Sequence, residues 1–406
     1  MKNNRIAIIT HFNVCNFGAN MQALSTYSYL KKQGWNPILV NWANYQALLF
    51  TNVPQIQQDE HKKFVFDNLD VSPVLNNEAE IVNHLKDEKL FNIIVGSDAV
   101  FGLDTWLDRL SVNRQGIHYR KSSPDKMFPN VFWLDQLQKD ETFKIAMMSV
   151  SSQNACYPLF KRDMKAGIAK CLKRYDYISV RDSWTQKMVK HICNRDVKVT
   201  PDPMWAFEEN YNDHETKEAF LKRMNIDKSY ILLGFQNVLP EKTASWIGQF
   251  MSLAHQSGYK CIPLPFAFGY MPYEYDKQTN FPLSPFDWYK LIKFSNGYVG
   301  YNMHPIIVSM ANNVPCFSID NYGINVLKFF NIAKSSKIYD IFRMVGRLDC
   351  RCSLRDFFHT SKYTPSYVLN KLMNYDFSSG ELFAKEQKDN YRVMMSNILK
   401  IFENEF

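Results

Sequence analysis

The chain has 406 residues, 46% of them apolar and 22% charged, with a formal net charge of +8. At ~150 residues per domain this length exceeds a single hydrophobic core and implies two or three domains. The composition excludes a disordered or fibrous chain, and the longest apolar runs, such as Ile6-Ala7-Ile8-Ile9, stop far short of the ~20 residues of a membrane span.

Met1-Lys2-Asn3-Asn4-Arg5 leads straight into a short strand-like run with no secretory apolar segment, so a cytoplasmic location is expected. The cysteines at 15, 156, 171, 193, 261, 316, 350 and 352 form no Cys-x-x-Cys pair. Reduced, mostly buried thiols are expected, without a zinc site. The positive charge suits phosphorylated metabolites or anionic lipid better than nucleic acid, because no nucleic-acid recognition motif is present.

The apolar pattern alternates strand and helix. Strands are predicted at 5–10, 37–42, 92–95, 144–149, 177–180 and 197–200, with helices at 22–33 and 159–174. Residues 44–90 are irregular or helical. The polar stretch 208–229 is the candidate linker between an N-terminal domain, 1–207, and a second domain, 230–345. There the pattern restarts, with strands at 230–235, 259–264, 298–300 and 314–319 and helices at 242–256, 285–294 and 304–312. Ser284-Pro285-Phe286-Asp287 has the form of a capping box with proline at the first helical position. A helical extension, 346–406, follows, its stretch 385–402 expected to fold back onto the first domain. The expected fold is α/β, two doubly wound Rossmann-like domains facing a cleft, with chemistry on the loops after strand carboxyl ends.

Five such loops carry candidate chemistry. His11 to Asn20 supplies Asn13, Asn16, Gly18 and Asn20, with Gln22 just beyond. These are uncharged hydrogen-bonding groups and a close-approach glycine at a helix start, suited to sugar hydroxyls or phosphate. Gly96-Ser97-Asp98 places a carboxylate at a strand end, able to accept a hydroxyl proton or cap the next segment. Ser179-Val180-Arg181-Asp182 places an Arg fork at a sheet mouth, suited to a carboxylate or phosphate or else to a structural acid. Pro201-Asp202-Pro203 reads as a stiff structural turn. Asn302-Met303-His304-Pro305 sets an imidazole at a helix start, where cationic imidazolium is disfavoured. Arg343, Arg347, Arg351 and Arg355 recur every four residues; a continuous helix would align them as a basic face, and a solvated face or a broken helix is the plainer expectation. Lys161, Arg162, Lys165, Lys170, Lys173 and Arg174 form a second basic segment.

Taken in order, Asn16-Phe17-Gly18-Ala19-Asn20-Met21-Gln22-Ala23-Leu24, Val95-Gly96-Ser97-Asp98, Ser179-Val180-Arg181-Asp182, Asp202-Pro203, His304 and the run 309–315 resemble the polysaccharide pyruvyl transferase family over roughly residues 5–325. The resemblance implies a GT-B-like architecture. It implies transfer of a pyruvyl unit from phosphoenolpyruvate, a co-substrate, to a saccharide as a ketal, in bacterial capsular or exopolysaccharide biosynthesis, with no cofactor and no metal. It makes Arg181 and His304 donor-binding and catalytic; beside it, the residues themselves suggest Asn302 and Lys328 near the donor and Asp98 or Asp182 assisting the acceptor hydroxyl. Asn13, Asn16, Gly18, Asn20 and Gln22 would then serve the acceptor. The chain departs from one common form of the family pattern, with Asn302 where an Arg stands and Asn325 near the position of a Lys. The acceptor is expected on polyprenyl diphosphate, with peripheral contact to an anionic membrane at the inner face of the cytoplasmic membrane. Two alternatives stand beside it: a GT-B glycosyltransferase using a nucleotide sugar, or a non-catalytic saccharide-binding relative.

Overall fold

The computed structural model describes residues 4–43, 52–113, 116–153, 155–227, 229–236, 240–326, 330–332, 335–354 and 363–403. The first half runs β1 (Arg5–Ile9), α1 (Phe17–Lys32), β2 (Asn36–Leu39), α2 (Gln55–Asn68), α3 (Glu78–Asp87) and β3 (Asn92–Asp98). A hairpin follows, β4 (Leu110–Asn113) and β5 (Gly116–Tyr119), then β6 (Lys144–Val150), α4 (Arg162–Arg174), β7 (Tyr177–Val180), α5 (Ser183–Cys193) and β8 (Lys198–Val199). Two short helices, α6 (Phe207–Asn210) and α7 (Lys217–Arg223), lie in the polar connection. The second half runs β9 (Tyr230–Gly234), α8 (Pro240–Gln256), β10 (Lys260–Pro263), α9 (Pro285–Lys293), β11 (Gly297–Gly300), α10 (Met303–Ala311) and β12 (Cys316–Asp320). It ends with β13 (Ile324–Val326), β14 (Phe330–Ile332), α11 (Lys337–Met344), β15 (Arg351–Ser353), α12 (Pro365–Met373) and α13 (Phe377–Glu403).

The first sheet has the order β2-β1-β3-β6-β7-β8 and the second β10-β9-β11-β12-β15, parallel throughout. Each is a doubly wound α/β sheet whose strand order reverses once. The reversals fall between β1 and β3 and between β9 and β11, and the loops after those strands carry the candidate residues.

Local chemistry explains most boundaries. The Ser284 hydroxyl accepts from Asp287 N–H at 3.0 Å, and α9 starts at Pro285 as the capping pattern predicts. Helix α1 begins five residues earlier than expected because Asn16 caps it, its side chain accepting from Ala19 N–H at 3.2 Å. Residues 183–193, to which the pattern assigns no element, form α5; Asp182 caps it, accepting from Thr185 N–H at 2.7 Å, and Trp184, Met188 and Val189 form its buried face.

The aligned basic face does not form. Helix α11 ends at Met344 and Gly346 takes a φ of 72°, which closes the helix. Arg347 instead stacks on Tyr375 at 4.4 Å, and Arg351 lies buried in β15, donating from Nε and Nη2 to Asp320 at 2.8 and 2.7 Å. Arg343 pairs with Asp340 at 3.3 Å, and Arg355 lies outside the described residues.

One apolar core packs a face of the first sheet (Ile6, Ile8, Ile94) and runs without a break through α1 and the second sheet to α13. A second core fills the opposite face of the first sheet. Phe17 stacks on Trp288 across the halves at 5.5 Å and 8°. Gln57 clamps the Leu283 backbone with two 2.8 Å hydrogen bonds. Helix α13 returns to the first half through Tyr29–Tyr391 and Trp35–Phe402 ring contacts. Each fully buried Ile, Leu or Phe in such a core contributes about 1.5–3 kcal/mol. Among the described residues no helix is long and apolar enough to cross a membrane.

Candidate active site

The two strand-order reversals face one another across a cleft of about 390 Å³. Its first wall comes from the loop after β1 and the start of α1 (His11, Cys15, Asn16, Gly18), from Asp98, and from Asp125 and Lys126. Its second wall comes from Gln236, the loop Leu264–Phe268, Asn302, His304, Tyr322 and Lys337.

At the floor, residues from both halves share one network. Arg181 Nη1 donates to Asp202 Oδ2 at 2.6 Å, and Nη2 reaches Asp98 Oδ1 at 3.5 Å. His304 Nε2 lies 3.9 Å from the same Asp202 oxygen and 3.3 Å from the Gln22 carboxamide. The Gln22 orientation that suits both neighbours donates to Asp202 Oδ2 at 3.0 Å and accepts from Asp98 N–H at 3.1 Å. His11 Nδ1 stands 3.4 Å from Asp98, and its Nε2 3.8 Å from Asp125. Asp98 carries a φ of 92°, a left-handed value that a non-glycine residue adopts at an energetic cost typical of functional sites.

Helix α1 presses directly on the imidazole. A Cβ at Gly18 would stand 2.1 Å from His304 Nδ1 and 2.8 Å from His304 Cβ, so only glycine fits. Helix α10 opens here with no side-chain cap, because Asn302 Oδ1 accepts instead from the Tyr322 hydroxyl at 3.1 Å. With Pro305 at its third position, the first turn keeps the Met303 and His304 amides, and no side chain caps them.

Burial pushes the His304 imidazole down to about 4, against the attraction of Asp202 and Asp98. Burial works against the Asp98 carboxylate, yet the His11 hydrogen bond, the His11 ring and the Arg181 guanidinium hold it well below the usual carboxylate range. Burial also pushes the Lys337 ammonium down to about 8, reinforced by Arg181 and opposed by Asp98, Asp182 and Asp202. At neutral pH the cleft thus holds a neutral imidazole, an ionised carboxylate and an ammonium close to its titration point.

The other candidates divide. Asn16, Gly18, Asn302 and His304 line the cleft, as does Asp98. Arg181 lies beneath it, 4% exposed at the side chain, its guanidinium engaged by Asp202 and Asp98 rather than open to an incoming anion. Gln22 joins that network. Asp182 sits apart from the acceptor wall. Its oxygens accept from Ser151 Oγ, Thr185 N–H and Thr185 Oγ1, which is the chemistry of a cap. Asn20 is fully buried and tied to the Phe12 and Val14 carbonyls and to His61. Asn13 bonds Asn41. Asp202 is the structural acid expected of its turn, Oδ1 accepting from Met204 N–H at 2.9 Å, while its Oδ2 also lies between Arg181 and His304. Lys328 lies outside the described residues.

The sequence matches the family model for polysaccharide pyruvyl transferases over residues 16–322, most of the chain. The chain belongs to the polysaccharide pyruvyl transferase family. A comparison with curated proteins finds no match. Among solved structures, it resembles a Listeria monocytogenes protein assigned as a UDP-N-acetylglucosamine 2-epimerase (11% identity, 99% and 98% of the two chains covered, TM-score 0.56). The UDP-GlcNAc 2-epimerase from Methanocaldococcus jannaschii is similar (10%, 95% and 99%, 0.51), as is the spinosyn rhamnosyltransferase SpnG complexed with thymidine diphosphate (7%, 98% and 100%, 0.51). At such identities the likeness is one of fold, the GT-B arrangement of two Rossmann-like domains.

For a polysaccharide pyruvyl transferase, the cations that reach the cleft are informative. Lys337 and Lys126 both line it, and neither stands out in the sequence motifs. Lys337 occupies the first position of α11, after the Ser336 cap. A cation there opposes the helix dipole, and that misplaced charge was the available sequence signal.

Proposed function

We propose that this family member transfers a pyruvyl group from phosphoenolpyruvate to a saccharide as a ketal, in the building of a bacterial capsular or exopolysaccharide. The observation that carries the reading is the network in which Arg181 from the first half and His304 from the second meet on one carboxylate, Asp202, at the floor of a shared cleft. The donor carries a carboxylate and a phosphate. Lys337, Lys126 and the open amides of α10 supply its counter-charges, and Arg181 fixes Asp98 and Asp202 from below.

In the proposed reaction C3 of the donor gains a proton and C2 acquires oxocarbenium character. An acceptor hydroxyl oxygen bonds to C2 and gives up its proton; the C2–O bond to phosphate breaks and inorganic phosphate leaves. A second hydroxyl closes the ketal at C2 and loses its own proton. His304 is neutral in the free site. The bound donor dianion raises the proton affinity of His304, so that it enters the cycle protonated and delivers that proton to C3. As a neutral imidazole it then takes the first hydroxyl's proton and passes it to the departing phosphate, while the second hydroxyl's proton goes to water. Each such transfer contributes about 10²–10⁴-fold. Asp98, kept ionised, accepts a hydrogen bond from the acceptor hydroxyl. A saccharide carried on polyprenyl diphosphate at the cytoplasmic membrane face is the acceptor we favour.

Thermal shift and phosphate release test the proposal together. Phosphoenolpyruvate should raise the melting temperature and yield inorganic phosphate only with acceptor present. Stabilisation by UDP- or TDP-sugars with no response to phosphoenolpyruvate would overturn the reading in favour of glycosyl transfer.

A pH effect follows from Lys337. Its charge is present below about 8 and lost as pH rises through that value. The donor's phosphate is already a dianion above about 6. Affinity for phosphoenolpyruvate should therefore fall as pH climbs past 8, and Lys337→Met should weaken binding and flatten that fall, as read by titration calorimetry.

A further inference from the structure

The hairpin β4–β5 and its flanks expose an unusual set of side chains. Ile117 is 73% exposed, Tyr119 57%, Trp106 54% and Met127 48%. Arg109 stacks on Tyr119 at 4.3 Å, and Arg120 and Lys121 follow on the surface. The nearby acids are engaged: Asp104 accepts from Arg120 and Ser122, and Asp108 from the Thr105 amide and hydroxyl.

The flank that follows this hairpin reaches helix α4 through Phe128. Asp108 lies within electrostatic reach of Cys156, Phe128 packs on Gly167, and Lys165 donates to the Pro158 carbonyl. Lys161, Arg162, Lys170 and Lys173 are exposed there, and the stretch 161–174 holds six cations against Asp163 alone. Leu159, 40% exposed, stands just ahead of them. Arg174 is the exception, folded inward onto the Leu137, Asp140 and Phe143 carbonyls. Lys126, between Met127 and the cleft, joins this surface to the acceptor wall.

We propose that the β4–β5 hairpin with the adjoining face of α4 docks the protein on an anionic bilayer. Trp and Tyr favour the headgroup layer, Ile and Met enter its apolar edge, and cations near the surface add attraction to anionic lipid. The charge rules out a zwitterionic surface as the preferred partner, and the aromatic and aliphatic tips distinguish this face from a purely electrostatic patch. The docking face sits on the first half, beside the cleft, so a lipid-carried saccharide would rise into the site from the membrane side. It deepens the lipid-carried acceptor reading, but its test needs neither donor nor acceptor, so failure here is separate from failure of pyruvyl transfer.

The test is co-sedimentation of the full chain with vesicles of phosphatidylcholine alone and of phosphatidylcholine with about a quarter phosphatidylglycerol, at ~50 mM and ~500 mM salt. The protein should pellet with the anionic vesicles at low salt and stay in solution with the neutral ones. High salt should release most of it. Ile117→Glu and, separately, Lys161→Glu with Arg162→Glu should each cut the bound fraction at least fivefold, with melting temperatures unchanged because those side chains are exposed. Trp106→Ser is the second apolar variant. Equal partition to both vesicles, none to either, or unaltered binding by these variants would overturn the proposal. So would a dimer in sedimentation velocity that Ile117→Glu dissolves without any vesicle binding, which would assign the face to a second copy of the chain.

Discussion

Replacing His304 by alanine should lower pyruvyl transfer at least ~100-fold, measured as phosphate release, with little change in melting temperature. The imidazole of the second half stands against the Asp202 and Gln22 of the floor network, and its burial keeps it neutral and ready to accept a proton. Gly18→Ala should reproduce the defect from the opposite wall. Alanine ordinarily stabilises a helix by about 1 kcal/mol over glycine. Here its Cβ would stand within 3 Å of both the His304 ring and His304 Cβ, so a rotamer change does not relieve the clash and α1 or α10 must move. Activity and stability should fall together in Gly18→Ala, whereas His304→Ala loses activity alone. Turnover within a few-fold of native in His304→Ala would remove the imidazole from the mechanism.

Arg181→Ala should cost about 3–5 kcal/mol of unfolding free energy, because it leaves buried carboxylates without their cation. Asp202 is 1% exposed at the side chain and bonded to the guanidinium at 2.6 Å, and Asp98 draws on the same group. Urea midpoints at neutral pH should show the loss. The depressed Asp98 pKa makes its contribution present above the ordinary Asp range and lost as pH falls through the folded value. The gap between native and Arg181→Ala should consequently narrow in acid, as a protonated Asp98 no longer needs the cation. Adding Asp202→Asn to Arg181→Met should recover much of the stability without restoring turnover. An unchanged midpoint in Arg181→Ala would show that the pair is not the buried support described above.

The alternation of strand and helix was legible because both sheets are buried on two faces, so strands such as Ile6-Ala7-Ile8-Ile9 and Tyr230-Ile231-Leu232-Leu233 are continuous apolar runs. The loops bearing Asp98, Arg181 and His304 were legible for the same reason, since they follow such strands. Pairings over long sequence distances were not. Nothing local couples Asp320 to Arg351, and the four-residue Arg spacing reads as a helix until Gly346 ends it. Asp182 and Asp98 look alike as acids after strands; only the Ser151 and Thr185 partners separate a cap from a group that faces the cleft. The β4–β5 hairpin gives no strand signal because all four residues of β5, Ile117 and Tyr119 among them, are exposed, so the in–out alternation of a strand is missing.

The unbroken apolar seam between the halves limits how this molecule can breathe. Prising the lobes widely apart would bare Phe17, Trp288 and their neighbours to water, so substrates must come and go through a doorway that is already ajar, with loops rather than whole lobes doing the shutting. The same seam makes severed halves poor substitutes for the intact chain. A fragment ending near residue 207 would display the greasy flank of its sheet and should precipitate, and the intact protein should melt in one cooperative step.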